Sequence, residues 1–345
     1  MVKKTAKKTS KKASKKVRFN YFIPHLIDAQ NPMDDIKWNM KDFMDYILNH
    51  KKNHEELNTA VPLGDEISDL EWNTAFYDDK PDHNIYYFQL SKNRSKDIPS
   101  KKKLNQEKKP IELDDDEYIG EFNLVVFDAK YNIVAIQSNF FGLTTKQIEA
   151  TLSILRQRVK DVMQESEKDN PKGVVLEPII DPSEISNVKK HKIYRKITVK
   201  GSDYNFAAAD NYKDNPLNKA ITELKKIGGV NFNIELSMSR TSKEKSLDSG
   251  SVRAIIDEVL ELKDNDDSDV SMHIASKKEE NDSIELVDLI EPRLTSTIEM
   301  NIENRTTMKS EAIYANFCDQ NYLSVNGSTN MRSRASRISG TVEES

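Results

Sequence analysis

Apolar positions along the chain switch between an alternating and a helical rhythm, and the switches divide it into elements. Residues 19–23 (Phe-Asn-Tyr-Phe-Ile) predict a short strand bounded by Pro24. Over 34–50, Ile36, Met40, Phe43, Met44, Ile47 and Leu48 follow the 3.6-residue period, with Asp34 and Asp35 at the positive end and Lys51 and Lys52 at the negative end. Residues 53–84 read as irregular, and 85–90 as a strand. Residues 118–138 predict a β-hairpin, with Phe122, Leu124 and Val126 on one strand, Ile133 and Ala135 on the other, and a turn at 128–132. Thr144 or Thr145 caps a helix to about 165 that lines up Ile148, Leu152, Leu155, Val159 and Val162. Strands follow at 174–180, 191–200 and 231–238. Between the last two, a helix over 214–227 is framed by Pro216 and by Gly228-Gly229. A helix capped by Ser249 or Ser251 runs to 262, strands occupy 270–275, 284–290 and 297–302, and a helix covers 308–323. The order predicts an α+β fold: a mixed, largely antiparallel sheet with several packing helices.

Five regions follow. They are a disordered basic tail (1–18), a strand-helix-strand region (19–91), a charged linker (92–117), a main α+β domain (118–325) and a polar, disordered C-terminal tail (326–345). The chain has 345 residues, 37% of them hydrophobic and 32% charged, which places it on the polar side of globular proteins. A single cysteine gains nothing from an oxidising compartment, and no apolar run approaches the length of a membrane span. Cytoplasmic localisation is the expectation.

The net charge of −5 conceals a division. Residues 1–18 hold nine of the 52 basic residues and no acid, which leaves 43 basic against all 57 acidic residues in the remainder, a net −14. The nine are Lys3, Lys4, Lys7, Lys8, Lys11, Lys12, Lys15, Lys16 and Arg18, the lysines as pairs every four residues. Such a segment seeks phosphate without reading sequence, so nucleic acid is the expected partner, with anionic lipid a second target and a solubilising tail the plainer reading. Alternation over 191–200 puts Lys192, Tyr194, Lys196 and Lys200 on one strand face, a second strip that can follow a nucleic-acid backbone; the plainer reading is an edge strand guarded by lysine.

Catalytic motifs are scarce. His50 and His54 have helical spacing, but Lys51 stands where a metalloprotease helix has glutamate, so no metal site is predicted. Gly228-Gly229 is a helix end, not a phosphate loop, and Cys318 lies among apolar neighbours as a buried small side chain. No catalytic residue is assigned. The one enzyme alternative is a Mg²⁺-dependent nuclease built from Asp128, Lys130 and Glu117, since carboxylates hold Mg²⁺ and a lysine assists the attacking water. Otherwise no cofactor is expected.

The segments 17–22, 118–152, 287–290 and 297–300 resemble an uncharacterised bacterial family, catalogued as domains of unknown function, some of whose members lie near phage-defence or mobile-element genes. The resemblance implies a host–phage setting and carries no site residues. The leading expectation is a non-enzymatic protein associated with nucleic acid or nucleoprotein. The alternatives are the nuclease and a structural or phage accessory protein.

Overall fold

The structure is a computed structural model. It describes residues 13–28, 30–31, 35–54, 57–94, 96, 98–114, 117–167, 170–202, 231–238, 244–265, 270–279, 284–302, 308–325 and 330–340. In chain order the elements are β1 (Ala13–Asp28), β2 (Asp35–Lys37), α1 (Lys41–Asn53), β3 (Ala60–Leu63), β4 (Glu66–Leu70), β5 (Phe76–Asp78), β6 (Ile85–Arg94), β7 (Lys101–Lys102), β8 (Lys108–Lys109), β9 (Ile119–Asp128), β10 (Ile133–Gln137), α2 (Thr145–Val162), β11 (Lys172–Pro178), α3 (Ser183–Lys189), β12 (Ile193–Ser202), β13 (Asn231–Ser237), α4 (Ser249–Asn265), β14 (Ser271–Lys277), β15 (Glu285–Asp288), β16 (Thr295–Ile302), α5 (Ser310–Phe317), a π-helical turn (Cys318–Tyr322) and α6 (Met331–Ile338). The fold is α+β, and every strand pairing among the described residues is antiparallel.

The described residues form two compact units, one of residues 1–179 with 294–345 and one of residues 180–293. These boundaries differ from the expected ones. The charged segment 92–117 joins β6 to β9, which are neighbours in one sheet, so it is a long hairpin connection and not a link between domains. The expected domain 118–325 is instead shared between the two units.

The larger unit is organised around β1. Along one edge β1 pairs first with β16 (Ala13 opposite Ile302, Asn20 opposite Thr295) and then with β11. Along the other edge it pairs with β10 over 19–22 and then with β2 over 25–27. Pro24 therefore does not end the strand. Its carbonyl accepts from the Trp38 N–H at 2.8 Å on the second edge, in the gap between β10 and β2, where no ladder donor is required. Residues 13–18 are not a loose tail but the first turns of this strand. Their own residues give little to bury beyond Val17; the ladder comes from 297–302, almost 300 residues away.

Both faces of this sheet are covered. Successive side chains of a strand point to opposite faces. Val17, Phe19 and Tyr21 pack with Phe317 and Tyr322 under α5 and the π-turn, while Phe22 and Leu26 pack with Met44, Ile148 and Leu152 under α1 and α2. Two-sided burial explains the unbroken run Leu124-Val125-Val126-Phe127 in β9. The outer edge of β16 is capped by side chains: Gln320 accepts from Glu299 N–H and donates to Glu299 C=O, both at 2.9 Å, and Asn321 donates to Thr297 C=O.

Two helix expectations shift. Residues 35–37 form β2, with Ile36 exposed, and α1 begins at Lys41. Residues 330–340, placed in the disordered tail, carry α6, capped by Asn330 and burying Met331 and Ala335. The helix expected over 214–227 lies outside the described residues.

The smaller unit is a four-stranded sheet, β13-β12-β14-β15. Tyr194, Ile197, Val199, Met272 and Ile274 of the sheet pack with Val252, Ile256 and Val259 of α4. Asp248, not Ser249 or Ser251, caps that helix, accepting from Ser251 N–H at 2.8 Å.

Candidate functional site

Asp128, Lys130 and Glu117 are not brought together. Asp128 is the last residue of β9, whereas Glu117 precedes its first, so the two stand at opposite ends of a ten-residue strand. Glu117 is exposed and hydrogen-bonds within its own loop, to Asp114 N–H at 3.1 Å. Lys130 is exposed on the turn, its ammonium 5.6 Å from the centre of the Tyr131 ring.

Asp128 itself is buried and fully engaged. One oxygen accepts from Arg332 Nε at 2.6 Å and Tyr322 Oη at 2.8 Å; the other accepts from Arg332 Nη2 at 3.0 Å and the Lys130 N–H at 3.0 Å. The remaining guanidinium donors reach the carbonyls of Asp82 and His83, and the guanidinium lies 5.0 Å from the Tyr131 ring centre. The result is a clasp that fastens α6 and the π-turn to the β9–β10 hairpin. A carboxylate held by a bidentate arginine has no lone pair turned toward a Mg²⁺ ion, so the geometry does not form the nuclease site. Among the described residues, no three His, Cys, Asp or Glu side chains are grouped to hold a metal. Cys318 is buried, and burial pushes its thiol up to about 12, which is the opposite of an activated nucleophile.

Arg332 and Tyr322 carry this clasp, and sequence reasoning missed both as partners of Asp128. The available signal was Asn330 as a cap, followed by Met331, Ala335 and Ile338 at helical spacing.

The basic residues divide into three sets. Lys3, Lys4, Lys7, Lys8, Lys11 and Lys12 lie outside the described residues. Lys15, Lys16 and Arg18 are exposed on the leading part of β1, with Lys16 at 4.0 Å from the exposed carboxylate of Glu299. The third set, on β12, does not form the expected strip. A bulge between Tyr194 and Lys196 shifts the phase of alternation, so Tyr194 joins Ile197 and Val199 in the core. Its hydroxyl donates to the Val188 carbonyl at 2.7 Å, and no ring face is left for a base. Lys192 and Lys196 pair with Glu279 at 2.8 Å and Glu235 at 2.7 Å, and Lys200 alone of the set is exposed without an acid so placed among the described residues. Nor is β12 an edge strand, since β13 and β14 flank it.

These features define an α+β protein of two antiparallel units in which the buried Asp128–Arg332 pair of the larger unit serves the fold, and exposed cations stand both on the leading part of β1 and at Lys101–Lys103, Lys108 and Lys109. Residues 12–329 match a family of unknown function (DUF6731), and the chain belongs to that family. No curated protein matches the sequence. Among the described residues, no helix is long and apolar enough to cross a membrane.

Proposed function

We propose that this chain is a non-enzymatic protein that associates with nucleic acid or nucleoprotein through its N-terminal basic segment, while the acidic body makes protein contacts. The observation that carries the reading is charge segregation: nine cations and no acid in residues 1–18, on a chain whose remainder is net −14. The leading part of β1 supports it. Lys15, Lys16 and Arg18 are presented on a strand held by a full ladder to β16. The bacterial anti-phage or mobile-element setting belongs to this reading through the resemblance described above, and the cytoplasmic location through the single cysteine and the lack of long apolar runs.

The test compares the full chain with a variant carrying glutamine at Lys3, Lys4, Lys7, Lys8, Lys11 and Lys12, titrated against nucleic acid at low and high salt. Six phosphate contacts give a loss of affinity of about 10³-fold between about 50 and 200 mM salt in the natural chain. The variant should bind weakly with a shallow salt slope. Equal binding by both chains, or none by either, refutes the reading.

A further inference from the structure

A turn beside the basic strand displays two phenylalanines to solvent. Phe140 is 93% exposed and Phe141 56%, with ring centres 5.1 Å apart and planes at 89°. Isolated exposed apolar residues are ordinary, but this turn is a built one. Asn139 donates to Phe122 C=O at 3.0 Å and to Glu121 at 3.3 Å, and accepts from Phe141 N–H at 3.2 Å. Gly142 N–H returns to Asn139 C=O at 3.1 Å. A β-carbon at Gly142 would run into the amide of Asn123, which is itself held by Gln137 C=O and Leu143 N–H. Thr144 and Gln147 then close a reciprocal cap on α2. The backbone is fixed on both sides of the rings, so their exposure is a property of the turn and not of a loose loop.

The turn is bonded to the strand that carries the leading cations, with Glu121 the acid held within it. Ser138, two residues before Phe140, donates its N–H to Arg18 C=O at 2.8 Å. Val17 and Phe19 point to the face under α5, which puts Lys16 and Arg18 on the opposite face, the one that α2 covers further along. The Phe140 turn leads into α2 on that face. Phenyl rings on a turn bonded to the strand that carries Lys16 and Arg18 match a ligand that offers phosphates and unpaired base faces together.

We infer that Phe140 and Phe141 form a base-stacking platform, and that the chain binds single-stranded nucleic acid in preference to duplex. The inference rests on the reading of the basic segment given above. Rings at right angles cannot both stack on parallel consecutive bases, so one base lies on the open face of one ring with the other as a side wall. In a duplex the bases are already stacked and paired, and the platform has nothing to receive.

The experiment measures anisotropy of a labelled single strand and of its duplex, each about 20 nucleotides long, a length that spans several stacked bases. It uses the full chain, a Phe140→Ala/Phe141→Ala variant and a Phe140→Trp variant. Loss of one stacked base should weaken single-strand binding about tenfold. Duplex binding and the salt slope should stay unchanged, and Phe140→Trp should match or exceed the natural chain. Circular dichroism checks that the variants are folded, as expected for side chains this exposed. Three results overturn the inference: single-strand binding indifferent to the two rings, equal weakening toward both nucleic acids, or a Phe-dependent gain that appears only with phosphatidylserine vesicles. Salt-sensitive binding that ignores the rings overturns this inference alone, whereas the absence of any binding by the natural chain removes the basic-segment reading as well.

Discussion

Asp128 in the larger unit and Glu258 in the smaller are equally hidden, at 1% and 0% exposure, yet their surroundings are opposite. Asp128 meets four donors, including a bidentate guanidinium. Glu258 sits on α4 near Ile255, Ile256 and Val259, and neither of its oxygens has a hydrogen-bond partner among the described residues. Desolvation pushes its carboxyl up to about 7. Burial of an acid therefore says little about catalysis. Partners decide whether the charge becomes a fastening or a liability.

The largest effect should come from breaking the answered pair. Arg332→Ala leaves a buried carboxylate without its countercharge and with two of its four donors, and about 3–5 kcal/mol of stability should be lost in urea denaturation of the larger unit. A loss below about 1 kcal/mol would mean that the clasp contributes no more than a surface pair.

The unanswered acid should show itself through pH. Its folded value, about 7, lies above the ordinary 4.5, so the native state holds the proton more tightly than the unfolded chain. Below about 4.5 both states are protonated and the group is neutral for folding. As pH rises from there to about 7, the unfolded chain ionises first and stability falls, by about 3 kcal/mol at the upper limit. Glu258→Gln should remove that decline, so denaturation midpoints at pH 5 and pH 8 should converge in the variant. Parallel pH profiles in the two proteins would contradict the assignment.

The smallest effect calibrates the other two. Lys196 and Glu235 form an ion pair of good length, 2.7 Å, with both side chains more than a third exposed. Lys196→Gln should change stability by about 0.5 kcal/mol or less, and by less still in added salt. If it rivals Arg332→Ala, exposure is not what separates these pairs.

Local pattern made much of the framework legible. The β9–β10 hairpin turns at 128–132 as its alternation and turn residues predict, and α2 starts at the Thr144 cap. The strands at 172–178, 231–237, 271–277 and 295–302 fall close to their expected places. What the sequence hid was long-range. Nothing in residues 13–18 announces β16, and nothing near Asp128 announces Arg332, 204 positions away. Simple alternation puts Tyr194 on the wrong face, because a bulge in β12 reverses every later side chain and leaves no compositional mark. The polarity of 330–340 points to a tail, although three apolar residues at helical spacing suffice when a finished core is waiting to receive them.

The position of β1 has a consequence for biosynthesis. This strand is synthesised well before its partner, since the register from Ala13 opposite Ile302 to Asn20 opposite Thr295 requires a segment made almost 300 residues later. At about 5–20 residues per second, it must wait for roughly 15–60 s. Residues 180–293, by contrast, are complete before that partner appears. Assembly of the larger unit is thus governed by translation of its last quarter, and a nascent chain stalled before residue 295 would keep a half-paired N-terminal strand within reach of chaperones and proteases.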